Sequence, residues 1–199
     1  MNRHCLAAVT AAMLMSIFPS QGGAQGRPDP AAIIAAQREA MVPLAAMDGV
    51  WRGPAWTILE SGEKHNLTQT ERIGPFLDGS VKVMEGRGYD AEGKVAFNAF
   101  GTLSYDPTKK AYALHSYAMG RVGDFPLTVT PDGYVWEIPA GPMTIRYTAV
   151  IKDGKWREVG DQIMPGKDPV RFFEMNLVRF RRHSAEVMQR ALQRALEQR

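Results

Sequence analysis

Short turn signals recur along the middle of this chain, and they constrain its fold more than any other feature. Their residues accept a positive φ or preset a turn, which suits the ends of strands. Intervals of about 8–15 residues between them fit strands and are too short for a run of helices. The signals are Asp78-Gly79, Asp90-Ala91-Glu92-Gly93, Asp106-Pro107, residues 120–124, Pro131-Asp132-Gly133, residues 139–142, Asp153-Gly154 and Pro165-Gly166.

The segments between these turns alternate in the way that strands do. In the segment 112–117, Tyr112 and Leu114 share one face, and His115 and Tyr117 share the other. This pattern predicts about ten strands in an all-β domain covering 48–180. The expected strands are 48–59, 65–74, 79–89, 94–105, 110–119, 124–130, 133–139, 142–152, 155–164 and 169–180.

Short connections between successive strands favour antiparallel pairing. Ten such strands in one open sheet would leave two long edges with unpaired backbone groups. Closure removes those edges, so we expect an antiparallel up-and-down β-barrel. A two-sheet β-sandwich is the alternative.

Both ends of the barrel domain carry a helical pattern. Asp29-Pro30 suits a helix N-cap followed by Pro in the first turn, so residues 25–47 are expected to form a leader and an N-terminal helix. Residues 181–199 form a basic segment in which 184–199 reads as an amphipathic helix beginning at Ser184. We expect that helix to dock on the barrel or on a partner, or to lie on a membrane surface.

Residues 1–24 have the three parts of a secretory signal. Arg3 and His4 precede the apolar run Leu6 to Phe18, and small residues end at Ala24. As a helix, this run would rise only about 20 Å, less than a hydrocarbon core of about 30 Å, which disfavours an uncleaved anchor. Cleavage near Ala24 predicts a periplasmic or secreted protein.

Composition excludes several other classes. The chain is 45% hydrophobic and 23% charged, which is ordinary for a globular protein. The chain has 24 Lys and Arg against 21 Asp and Glu, and six of the Arg residues lie in 179–199. The net positive charge therefore comes from the tail, so we expect no nucleic-acid partner. No later apolar run approaches 18 residues, so no transmembrane segment is expected.

The order of several short motifs resembles a known family. A Gly-x-Trp lies in Asp48 to Gly53, Gly88-Tyr89-Asp90 ends one strand, and Leu103 to Asp106 ends another. Asp153-Gly154 precedes Trp156, and the last strand ends with Asn176 to Phe180. This order, over residues 44–180, resembles the secreted bacterial proteins of the domain of unknown function 1579 family, with lipocalin-like, calycin-type barrels.

The resemblance implies the fold and the compartment but no activity. It also implies that Trp51 plugs one end of the barrel and that Arg179 covers its ring.

Residues for catalysis or metal binding are few. The single Cys precedes the expected cleavage point, so the mature chain has neither a disulfide nor a Cys-based metal site. Its only histidines are His65, His115 and His183, without the close pairing of a zinc site, and no G-x-S-x-G occurs in the mature chain. We therefore assign no catalytic residue, no metal and no cofactor. His115 lies in mid-strand, and since the haem-binding nitrobindins share this architecture, haem or metal ligation by His115 is the alternative to a barrel-wall role.

The alternation of side chains between the two faces of each strand, which we call parity, predicts a pocket inside the barrel. Polar side chains in the middle of a strand with aromatic ends suit a cavity better than a dry core. Parity fixes which residues share a face but not which face is inside, so solvent exposure outside is the alternative. The residues expected to line the pocket are His115, Tyr117, Glu158, Gln162, Glu174 and Asn176.

The sequence thus favours a binding module for a small apolar or amphipathic ligand. A structural or envelope-interaction protein with a filled barrel is the first alternative, and an enzyme acting at the barrel mouth is the second. The oligomeric state stays open.

Overall fold

The computed structural model describes residues 29–180. Helix α1, Pro30–Met41, continues into a 3₁₀ helix, Val42–Met47, and ten strands follow with a second 3₁₀ turn, Leu77–Gly79, after β2. The strands are β1 Gly49–Ile58, β2 Lys64–Phe76, β3 Val81–Tyr89, β4 Val95–Asp106, β5 Ala111–Ala118, β6 Arg121–Thr130, β7 Gly133–Ala140, β8 Met143–Lys152, β9 Lys155–Ile163 and β10 Val170–Phe180.

These strands form a closed antiparallel barrel in which each strand pairs with its neighbours in sequence. The barrel closes where β1 pairs with β10, with Trp51 opposite Arg179 and Ala55 opposite Met175. The predicted up-and-down, lipocalin-like barrel of ten strands is therefore confirmed, and the sandwich alternative is wrong.

The turn residues act as the sequence predicts. In the hairpin between β8 and β9, Asp153 has φ 52° and Gly154 has φ 73°. Two consecutive positive φ angles are those of a type I′ turn, whose twist matches that of antiparallel strands.

One end of the barrel, where β1 begins and β10 ends, is covered by α1 and the following 3₁₀ helix; we call it the closed end. Helix α1 begins with the Asp29 side chain accepting a hydrogen bond from the Ala31 amide at 3.0 Å. The Tyr112 hydroxyl donates to the carbonyl of Ala40 at 2.6 Å, which fixes the helix to the barrel rim. Three side chains of this segment are buried in the core: Met41, Leu44 and Met47.

Trp51 and Arg179 complete the closed end. Trp51 is fully buried, and its indole N–H donates to the Met47 carbonyl at 2.8 Å. The Arg179 guanidinium carbon lies 4.3 Å from the centre of a Trp51 ring, which is cation–π distance. Arg179 also donates to the backbone carbonyls of Asp48 and Ala46. The chain thus has the contact that the family resemblance implies.

The other end of the barrel, which we call the open end, carries the connections between β1 and β2, β3 and β4, β5 and β6, β7 and β8, and β9 and β10. The expected signal segment 1–24 and the basic segment 181–199 lie outside the described residues. Within residues 29–180, no helix has the length and apolar character needed to cross a membrane.

Candidate ligand site inside the barrel

Strand register shows which side chains face the interior. On β9, Trp156 is 3% exposed and Glu158 is 6% exposed, and Gly160 and Gln162 follow them on the same face. Across the ladder, Glu158 is opposite Met175 of β10 and Ala149 of β8, which are both buried. Glu158 and Gln162 therefore point inward, with Gln162 nearer the open end.

Four inward-facing polar side chains, Gln69, Glu71, Tyr134 and Glu158, form what we call the interior polar cluster. Gln69 Nε2 donates to Glu71 Oε1 at 2.7 Å. The Tyr134 hydroxyl donates to Glu158 Oε2 at 2.7 Å, and Trp136 Nε1 donates to Glu158 Oε1 at 3.1 Å. Both oxygens of Glu158 are thus occupied by donors in the middle of the barrel.

Burial is the main cause of the pKa shifts of the two carboxyl groups, Glu71 and Glu158. It raises the pKa of Glu71 to about 8, helped by the negative charges of Glu158 and Glu85 and opposed by the hydrogen bond from Gln69. It also raises the pKa of Glu158, against the hydrogen bonds from Tyr134 and Trp136. The effect of the Glu158 charge on the pKa of Glu71 indicates that the two carboxyl groups lie near each other inside the barrel.

Glycines on β3 make room for this cluster. Gly86 faces Glu71 and Gly88 faces Gln69 across the β2–β3 ladder. A Cβ at Gly86 would lie 2.7 Å from Glu71 Oε1, and one at Gly88 would lie 3.0 Å from Gln69 Oε1. Any larger residue at either position would push a polar side chain out of its place.

Aromatic side chains line the interior between the polar cluster and the open end. Trp136 stacks on Tyr147 with ring centres 4.3 Å apart and planes 8° apart. Phe125 lies 5.6 Å from Trp136, and Phe173 lies 5.8 Å from Tyr147. All four face inward and are only partly buried, in contrast to the fully buried side chains of the core. We call Phe125, Trp136, Tyr147 and Phe173 the aromatic wall.

The structure separates the six residues that parity grouped into one pocket. Glu158 and Gln162 face the interior as expected, and their role in ligand binding stays a prediction. The other four, His115, Tyr117, Glu174 and Asn176, lie on the outer wall, so their expected place in the pocket is wrong. On β5 the inward positions are held by Tyr112, Leu114, Ser116 and Ala118.

The outward-facing residues have partners of their own. His115 Nδ1 lies 2.6 Å from Asp124 Oδ1, and Tyr117 is 51% exposed. Asn176 and Arg157 both donate to Glu174 Oε1, at 3.1 and 2.9 Å. Since His115 points away from the interior, the alternative that it ligates haem inside the barrel is also wrong. No group of three or more His, Cys, Asp or Glu that could hold a metal occurs within residues 29–180.

Two open grooves mark the outer wall. One, of about 430 Å³, runs across β3 to β6 beside Arg87, Phe100, Tyr117 and Val122. The other, of about 460 Å³, lies across β1 to β3 beside Arg52, Thr68 and Tyr89. Neither contains a member of the interior polar cluster.

Comparison with known proteins shows solved structures of similar fold but no closer relationship. The chain is similar to Rv2717c from M. tuberculosis, with a TM-score of 0.54 and 13% identity over 71% of this chain and 98% of that one. It is also similar to the S-type phycobiliprotein lyase CPES from Guillardia theta, with a TM-score of 0.49 and 13% identity over 77% of this chain and 99% of that one. No family model and no curated protein matches the sequence. Membership of the domain of unknown function 1579 family stays a prediction.

Proposed function

We propose that this protein is an exported barrel that binds a small amphipathic ligand through its open end. The observation that carries the proposal is the half-exposed aromatic wall, which faces inward above the buried interior polar cluster. A row of aromatic rings leading to a few polar groups is the usual lining of a small-molecule site. A core made only for stability would bury those rings and leave out the carboxyl groups, whose burial is costly.

The two ends of the barrel differ in a way that fits this function. At the closed end Trp51, Leu103 and Leu177 are almost fully buried, as in an ordinary core. At the open end the inward-facing Ile145 and Gln162 stay half-exposed. The open end is thus less completely buried than the closed end, which supports entry of a ligand from that side.

Blocking the open end tests the proposal. Ile145→Trp would fill it from inside, and Val150→Trp is the matched control because Val150 lies on the outer face of the same strand and is 47% exposed. We expect the neutral dye Nile red to bind the unaltered protein and the control, and to bind Ile145→Trp at least about tenfold more weakly. Equal binding to all three proteins, or to none, would contradict a ligand site inside the barrel.

Protein purified from its own host offers a second test. Native mass spectrometry compared with the denatured mass would detect a co-purifying small molecule. Retention of that molecule by Val150→Trp and its loss from Ile145→Trp would place it inside the barrel. A molecule retained equally by both would lie elsewhere on the protein.

Export rests on the signal-like segment 1–24. Mass analysis of periplasmic and secreted material should find a mature chain that begins near Gln25. Recovery of the protein in the membrane fraction with Met1 intact would contradict export by cleavage.

A further inference from the structure

The interior polar cluster holds two carboxyl groups for which the described residues supply no counter-ion. Within the described residues, no Lys or Arg forms an ion pair with Glu71 or Glu158. Lys82, which also faces inward, pairs instead with Asp48 at 2.6 Å. A buried carboxylate without a counter-ion is costly, so such groups are normally paired.

The surroundings of Glu158 nevertheless suit an ionised carboxylate. Its two oxygens accept from Tyr134 and Trp136, and a neutral acid would have to turn one oxygen into a donor. The indole N–H of Trp156 is buried and has no hydrogen-bond partner among the described residues. An indole N–H donates and cannot accept, so a protonated Glu158 could donate only to the Tyr134 hydroxyl and not to Trp136 or Trp156. The hydrogen bonds thus favour a negative charge on Glu158 that burial opposes, and no Lys or Arg among the described residues forms an ion pair that would offset it.

We propose that the ligand carries an ammonium group, which binds in the barrel between Glu158, Glu71 and the aromatic wall. This inference rests on the proposed function and names the chemical class of its ligand. Trp136 and Tyr147 stack on each other, so a desolvated cation can be attracted only by a ring face that this stack leaves free. The two carboxyl groups attract the cation more strongly. An anionic ligand would meet repulsion at the same place, and a neutral alcohol would gain only hydrogen bonds.

Proton release would accompany binding of such a ligand. In the unliganded barrel, burial raises the pKa of Glu71 to about 8, so this carboxyl group is mostly protonated at pH 7. An ammonium ion beside it stabilises the carboxylate and lowers that pKa. Binding of a cation at pH 7 therefore releases a proton from the cluster, whereas binding of a neutral ligand does not.

Three probes of matched shape test the inference: 2-phenylethylamine, 2-phenylethanol and phenylacetate. Their affinities can be followed through the fluorescence of Trp136 and Trp156, and proton release through calorimetry in buffers of different ionisation enthalpy. We expect the amine to bind at least about tenfold more tightly than the alcohol, the acid to bind weakest, and the amine alone to release a proton. Equal affinity for amine and alcohol, or preference for the acid, would overturn the inference.

Variants of the two carboxyl residues test whether they cause the preference for the amine over the alcohol. Glu158→Gln keeps a side chain that can accept from Tyr134 or Trp136, and it should remove the preference for the amine by weakening amine binding more than alcohol binding. The matched control is Glu174→Gln on the outer wall, which should keep the full preference. An amine preference that survives in Glu158→Gln and in Glu71→Gln would overturn the assignment.

Failure of this inference differs from failure of the proposed function. If Nile red binds inside the barrel but the amine shows no preference, the binding protein stands and the ammonium ligand falls. If neither Nile red nor any of the three probes binds, both fall.

Discussion

Because Glu71 is buried, it should make the folded protein less stable as the pH rises. Its folded-state pKa is raised from 4.5 to about 8, so the folded chain keeps a proton that the unfolded chain releases between these values. The contribution to the free energy of unfolding is full below about pH 4.5 and is lost as pH rises towards 8, by up to about 1.4 kcal/mol per pH unit. We therefore expect the melting temperature to fall from pH 5 to 8, and Glu71→Gln to flatten this fall.

Glu174→Gln is the control for that measurement. Hydrogen bonds from Asn176 and Arg157 lower the pKa of Glu174, so this outer carboxylate is ionised in both states over the whole range. Its removal should leave the slope between pH 5 and 8 unchanged. A slope that is the same in Glu71→Gln as in the unaltered protein would contradict the assignment of the proton to Glu71.

Gly49 shows why the Gly-x-Trp motif needs its glycine. Its φ is +132°, which other residues rarely adopt, and a Cβ would lie 3.1 Å from the Arg179 guanidinium. Gly49→Ala should lower the free energy of unfolding by about 2–4 kcal/mol, because backbone strain adds to displacement of Arg179. In Gly62→Ala, which also has a positive φ but nothing within 4 Å of the added Cβ, only the strain remains. Urea denaturation should give the smaller loss for Gly62→Ala, and equal losses would mean that the contact with Arg179 is unimportant.

At the scale of elements, Arg179 joins the last strand to the first. Arg179→Met would remove hydrogen bonds to Asp48 and Ala46 and the contact with Trp51, so we expect a loss of about 2–4 kcal/mol in the free energy of unfolding. Arg171→Met on the same strand removes only a surface ion pair with Asp161 and should cost about 1 kcal/mol or less. Similar denaturation midpoints for the two variants would refute a closing role for Arg179.

The elements also show how far sequence patterns reach. Turn residues such as Asp153-Gly154 have local conformational preferences, so strand number and antiparallel order could be predicted without the tertiary structure. The direction of each face could not, because parity only groups residues. On β10, Phe173, Met175 and Leu177 form the inward face and leave Glu174 and Asn176 in solvent.

Three members of the interior polar cluster, Gln69, Glu71 and Tyr134, were missed for a related reason. Glu71 follows Leu67 and Gln69 on one face of β2, where a lone charged residue reads as solvent-exposed. The usable signal was Gly86, which the hairpin register places opposite Glu71. A glycine facing a carboxylate indicates space reserved on the inner wall, but this depends on a register that alternation alone does not determine.

At the scale of the whole molecule, stability and binding should be separable because they belong to opposite ends of the barrel. Leu44 of the closed end is 1% exposed in the core, so Leu44→Ala should lower the free energy of unfolding by about 2–5 kcal/mol. Ile145→Trp at the open end should weaken binding of Nile red while changing the free energy of unfolding by about 1 kcal/mol or less, because its site is half-exposed. Urea denaturation and dye titration of both variants check this, with the titration of Leu44→Ala done well below its unfolding midpoint. A loss of dye affinity in Leu44→Ala as large as that in Ile145→Trp would mean that the two ends act as one unit and that the closed end shapes the site.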